Sequence, residues 1–140
     1  MNKNATTELI AELYDEGDMD YLFLGYIYSR VYKRLDKSIS NDTKRLVVAT
    51  LGIMQLLIKD GDFSLLEARG YREDVTYFPI EFDFDQLEKM LFEMILHEND
   101  GTVISLTISY QFLLTKNEIG KIPTGEYPNI LGELGSSKLA

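Results

Sequence analysis

A chain of 140 residues with 45% hydrophobic, 26% charged and 11% aromatic residues has the size and make-up of one globular domain, which excludes wholesale disorder. Its formal net charge of −9 argues against nonspecific binding to nucleic acid or anionic membranes, both of which need a positive surface. There is no cysteine, so no disulfide framework or thiol chemistry, and no apolar run approaches the ~18 residues of a membrane span. The opening Met1-Asn2-Lys3-Asn4 lacks the apolar core of a signal peptide, and the expected compartment is the cytoplasm.

In chain order, Thr6 or Thr7 is placed to cap a helix running to about Glu16, with Leu9, Ile10, Leu13 and Tyr14 on one face and Gly17 as its stop. Asp18 or Asp20 then caps a second helix to about Lys37, with Leu22, Phe23, Tyr26, Ile27 and Val31 inside. Ser40-Asn41-Asp42 reads as a loop and cap. The strongest helical pattern spans Thr43–Asp60, where Leu46, Val47, Thr50, Ile53, Met54 and Leu57 recur at helical spacing before Gly61. Residues 62–79 read either as short strands around Phe63, Leu65, Leu66 and Val75–Phe78 or as turn and buried loop, with Gly70 as a break. A fourth helix is expected over about Phe84–Glu98, capped through Asp83 with Gln86 or Asp85 with Glu88, and packing Leu87, Met90, Leu91, Met94 and Ile95. After the turn signal Asn99-Asp100-Gly101, the residues Ile104, Leu106, Ile108, Tyr110, Phe112 and Leu114 alternate with polar ones. That is one long half-buried strand, or two joined near Ser109. Residues 116–128 carry turn residues and little periodicity, and residues 135–140 read as a disordered or expression-derived tail behind a single domain of residues 1–134.

The pattern predicts a helix-rich α+β fold of about four helices and a small antiparallel sheet, with a central strand that includes Val103–Ser109. Leu46, Val47, Ile53, Leu57, Leu87, Leu91, Ile104 and Leu106 are the expected core.

Catalytic signatures are missing. The single histidine, His97, sits near a predicted helix end, where the macrodipole favours it, and no serine lies in a nucleophile elbow. One histidine without cysteine makes no ordinary zinc site. Glu81, Asp83 and Asp85 begin like a calcium loop, but Gln86 stands where that loop needs glycine and Phe92 where it needs its closing glutamate. No phosphate-cradling glycine motif occurs. Neither an enzyme nor a cofactor is expected.

Charge segregation is the more informative feature. Residues 8–20 hold six acids (Glu8, Glu12, Asp15, Glu16, Asp18 and Asp20) and no base. Residues 73–100 hold nine against Lys89 alone, whereas between the two Arg30, Lys33, Arg34, Lys37, Lys44 and Arg45 stand against only Asp36 and Asp42. The plain reading is a set of solvated helix faces; the functional one is an acidic face for a basic protein, built on Asp74, Glu81, Asp83, Asp85, Glu88 and Glu93. Tyr21, Tyr28 and Tyr32 fall near one face of the second predicted helix and serve either as core or as an interface stripe.

Two resemblances follow. Helix, Gly-turn and a strand ending in Phe112-Leu113-Leu114-Thr115-Lys116-Asn117-Glu118-Ile119-Gly120 look like a distorted winged-helix order in the second half. With Ile58-Lys59-Asp60-Gly61-Asp62-Phe63 after a long apolar helix, and Asp100-Gly101-Thr102-Val103-Ile104-Ser105-Leu106 as a strand, residues 43–120 are similar to some small bacterial immunity proteins that protect against contact-dependent growth-inhibition toxins. That resemblance implies an acidic, non-enzymatic inhibitor that binds a toxin domain, often a basic nuclease, with no nucleic acid or membrane as partner. The alternatives are a winged-helix-like regulator touching DNA through Arg30–Arg45 and the long strand, or a phage or plasmid accessory protein that binds a host factor. Oligomeric state is not legible in the sequence.

Overall fold

The computed structural model describes residues 4–35, 43–70, 72–81, 83–96 and 110–135. The fold is α+β: among the described residues, five helices and a four-stranded antiparallel sheet. None of these helices is long and apolar enough to cross a membrane.

Helix α1 (Ala5–Gly17) buries Leu9, Ile10, Leu13 and Tyr14, the face its periodicity predicts. Its cap is Asn4 rather than either threonine, because the Asn4 side chain accepts from the Thr7 N–H at 3.1 Å. Thr6 is fully buried instead and is turned toward the far end of the chain, where its hydroxyl accepts from the Leu131 N–H at 3.0 Å. That bond anchors α5 (Ile130–Gly135), a helix with no counterpart in the sequence reading, whose own start is capped by Asn129 accepting from Gly132 N–H at 3.2 Å. Tyr127 reinforces the join by donating its N–H to the Thr7 hydroxyl at 2.9 Å and accepting from the Asn4 amide at 2.6 Å. Thr6→Val keeps the shape and orphans a buried N–H, so denaturant titration is expected to show a loss of about 1–3 kcal/mol.

The second helix begins later than its apolar pattern suggests. Leu22–Phe23 form strand β1, pairing with Leu114 and Leu113, and only then does α2 (Leu24–Arg34) start. Sheet pairing overrides the helical spacing because it satisfies the backbone of a two-residue edge that no cap supports; Phe23 caps α2 without any side-chain hydrogen bond. Neither Asp18 nor Asp20 caps this helix. Helix α2 ends at Arg34, since Leu35 is extended (φ −81°, ψ 149°); Lys37 and the Ser40-Asn41-Asp42 cap lie outside the described residues.

Helix α3 (Thr43–Lys59) carries the centre of the core, with Leu46, Val47, Ile53, Met54 and Leu57 at 0% exposure. Its buried Thr50 hydroxyl donates back to the Leu46 carbonyl at 2.8 Å, which removes an otherwise costly polar atom. The ambiguous stretch after it is a hairpin. Strand β2 (Phe63–Arg69) pairs antiparallel with β3 (Thr76–Pro79) across a short 3-10 turn, Arg72–Asp74. Gly70 makes the turn with φ +112°, and a Cβ there would collide with the Asp74 carbonyl. Helix α4 (Phe84–Leu96) starts at the Asp83 cap, whose carboxylate accepts from Asp85 N–H at 2.9 Å, and buries Leu87 and Leu91. His97 and Glu98 lie outside the described residues.

Strand β4 (Phe112–Lys116) lies between β1 and β2, giving the order β1-β4-β2-β3. The expected strand through residue 114 does not run unbroken, because residues 110–111 are helical; Val103–Ser109, Ile104 and Leu106 lie outside the described residues. Nor does burial alternate, for Phe112, Leu113 and Leu114 are all buried. Register explains this. Leu22, Leu114 and Leu65 share a row facing the helices and belong to the main core, whereas Phe23, Leu113, Leu66 and Pro79 share the next row on the opposite face. Leu113 and Leu66 are buried there, at 0% and 8% exposure, outside the main cluster. The sheet therefore buries apolar side chains on both faces. On the outer edge, Ile80 N–H donates to Leu65 O at 3.1 Å, so by strand alternation the missing N–H of Pro79 falls on the unpaired side of β3.

Candidate functional site

The two acidic runs have different fates. On α1, Glu8 and Glu12 meet Arg34 of α2 at 3.3 and 2.8 Å, and Glu16 meets Arg30 at 3.4 Å. The helix spacing that puts Glu8, Glu12 and Glu16 on one face of α1 sets them opposite the Arg30–Arg34 ridge of α2, while Asp18 pairs with Lys116 and Asp15 and Asp20 are exposed. Lys33 and Lys44 are exposed, Arg45 is half-buried and engaged within the chain, and Lys37 lies outside the described residues.

Among the described residues, no such partner meets the second run. Asp74 ends the 3-10 turn, Glu81 and Asp83 lie between β3 and α4, and all three are exposed. Asp85, Glu88 and Glu93 share the outer face of α4 with Lys89, opposite the buried Leu87 and Leu91; Asp85 and Glu93 are exposed and Glu88 is half-buried. Among the described residues no cation pairs with any of these six. Glu81, Asp83 and Asp85 crowd the N-terminus of α4, where the helix dipole offsets part of their mutual repulsion.

The tyrosines do not form a stripe. Tyr28 is core, at 3% exposure, and offers nothing to a partner; Tyr32 is half-buried and packs against the same core. Helix α2 turns this side inward because Leu24, Ile27 and Val31 bury beside it. Tyr21 precedes β1 and is 39% exposed. It belongs to a different assembly, one that the sheet brings together and that local spacing does not reveal. Its ring centroid lies 4.9 Å from Tyr77 of β3 and 6.2 Å from Phe23, and Phe23 in turn meets Tyr110 edge-on at 5.0 Å. These rings flank the outer sheet face that carries Leu113 and Leu66. One sequence signal for it existed: Tyr21 and Phe23 alternate, as strand residues do.

Beside these rings opens a cleft of about 500 Å3, lined among the described residues by Glu16, Asp20, Leu22, Gly25 and the rings of Tyr21, Phe23, Tyr26 and Tyr110. The Arg30 guanidinium reaches its Tyr26 wall, 5.4 Å from the ring centroid, and donates to the Tyr26 hydroxyl at 3.0 Å. Burial pushes the Tyr26 hydroxyl above the ordinary tyrosine range, and its bond to Tyr26 holds Arg30 firmly protonated. The described lining of the cleft has no nucleophile–base pair. No group of three or more His, Asp or Glu among the described residues is placed to hold a metal ion. Comparison with protein-family models, with curated proteins and with solved structures finds no match to this chain.

Proposed function

We propose that this chain is a non-enzymatic protein-binding inhibitor of the immunity type, a soluble cytoplasmic protein that neutralises a basic, nuclease-like toxin domain. The observation that carries the reading is the asymmetry of charge. Three acids of α1, Glu8, Glu12 and Glu16, are paired within the molecule, whereas Asp74, Glu81, Asp83, Asp85, Glu88 and Glu93 have no cation among the described residues. Open carboxylates speed encounter with a positive surface and select against acidic ones. The DNA-contacting alternative is weaker, because Arg30 and Arg34 are already engaged by Glu8, Glu12 and Glu16, which leaves Lys33 and Lys44 as the exposed cations among the described residues of that stretch.

The test is kinetic. The immobilised chain captures its partner from the source cell, the partner is identified by mass spectrometry, and association is timed at two salt concentrations. The double variant Asp85→Lys with Glu88→Lys is expected to associate about tenfold or more slowly at low salt, with the gap closing as salt rises. The captured protein is expected to be basic and to lose its activity on stoichiometric addition of this chain. Because Asp85 takes part in the start of α4, melting is followed on the same variant. An unchanged association rate in a folded double variant, or a captured partner that is itself acidic, defeats the proposal.

A further inference from the structure

The cleft between the α1–β1 turn, the first turn of α2 and Tyr110 matches neither a core defect nor the acidic face on α4. It is open, about 500 Å3, and its described walls combine four aromatic rings with two carboxylates. Aromatic faces carry negative charge density, so rings set beside carboxylates attract a cation far better than either does alone. The molecule already demonstrates this chemistry on one wall, where a guanidinium lies 5.4 Å from the Tyr26 ring centroid, accepted by the Tyr26 hydroxyl at 3.0 Å and by Glu16 at 3.4 Å. The rest of the described lining repeats the same ingredients. Tyr21 and Tyr110 are 39% and 55% exposed, Phe23 bridges them edge-on, and Asp20 is exposed with one carboxylate oxygen holding its neighbour's N–H at 2.7 Å. Among the described residues no cation reaches Tyr21, Phe23, Tyr110 or Asp20.

We propose that this cleft receives an arginine side chain of a basic protein partner, its guanidinium against Tyr21 and Tyr110 and its charge answered by Asp20. The occupant follows from charge complementarity, since a chain of net charge −9 meets basic partners and Arg30 shows that a guanidinium fits this wall. The contact of Tyr21 with Tyr77 joins the cleft to β3. Arginine suits the site better than lysine because its planar head stacks on rings and takes a carboxylate with two N–H groups at once. The inference rests on the reading of the partner as basic, but it concerns a different surface.

The probe is an acetylated, amidated tri-arginine peptide, with tri-citrulline of the same shape and no charge as control. Binding is followed by NMR on protein carrying labelled tyrosine and backbone nitrogen. Tri-arginine is expected to shift the Tyr21, Tyr26 and Tyr110 resonances. Asp20→Asn and Tyr110→Ala, both at exposed positions, are each expected to weaken it by about fivefold or more, and tri-citrulline to leave these resonances unmoved. If shifts are confined to residues 81–93 and neither substitution matters, the cleft proposal is overturned while the acidic-face reading survives. If tri-citrulline binds as tightly, the site does not read charge and the proposal fails. Absence of any binding at low salt overturns it as well and counts against both surfaces.

Discussion

Phe63→Ala is expected to lower the unfolding free energy by about 3–5 kcal/mol, the largest effect of any substitution considered for this molecule. Phe63 opens β2, is 2% exposed, and meets Tyr14 of α1 edge-on with centroids 5.1 Å apart. The ring pair itself accounts for ~0.5–1.5 kcal/mol of the loss, and the rest comes from transfer and from the cavity left between sheet and helix. Gly17 provides an independent check. A Cβ at Gly17 would stand 2.9 Å from Phe63 Cε1, so the last residue of α1 has no side chain because the ring occupies that space. Alanine favours a helix over glycine by about 1 kcal/mol, yet Gly17→Ala is expected to destabilise, since the clash must displace a buried ring. In the Phe63→Ala background the same change should become neutral or stabilising. Urea titration of the four proteins measures the coupling, and additive effects would show that helix and strand do not meet as described.

The second large effect belongs to Lys116. Its side chain is 1% exposed, and its ammonium donates to Asp18 at 2.6 Å and to the Tyr14 carbonyl at 3.0 Å, over the Tyr14 ring. Lys116→Met retains the stem and removes the charge. The expected cost is about 2 kcal/mol, below the ~3–5 kcal/mol of a fully buried pair broken from one side, because Asp18 keeps 28% of its side chain in water and still accepts from the Gly120 N–H. The pair also makes stability depend on pH. The bond from Lys116, and after it the one from Gly120, holds the Asp18 carboxyl below the usual carboxylate range. A folded pKa lower than the unfolded one stabilises above the unfolded value of about 3.9 and loses that contribution as pH falls through the folded value. The difference between the native protein and Asp18→Asn should therefore be full at neutral pH and shrink below about pH 4, as read by chemical denaturation across that range. A gap that stays constant through acid would mean that Asp18 acts by shape alone.

The parts of this fold that local periodicity encodes are visible in the residues themselves. The α3 pattern from Leu46 to Leu57 and the pair Leu87 and Leu91 on α4 are core as their spacing requires, because an amphipathic helix must turn its apolar side inward whatever it packs against. Where the outcome depends on a distant strand, spacing misleads. Leu22 and Phe23 fit a helix face, yet β4 reaches them across some ninety residues of sequence and takes them as an edge strand. Tyr28 was equally consistent with surface and core, and only the packing of α2 against α3 decides it. The same holds for the charges. That Arg34 would answer Glu8 and Glu12 could not be read from composition, because it depends on how two helices lie, and it alone separates the neutralised acids from the open ones. The aromatic cleft was least legible of all, since Tyr26 and Tyr110 come together only once the sheet has formed.

The edges of the sheet, among the described residues, offer little to an added strand. One edge strand is two residues long, and the other, β3, ends in Pro79 with a gap where a donor would stand on its open side. Among the described residues, an incoming strand finds few backbone groups in register on either flank. Among the described strands, then, the sheet offers an aggregating neighbour little template to extend.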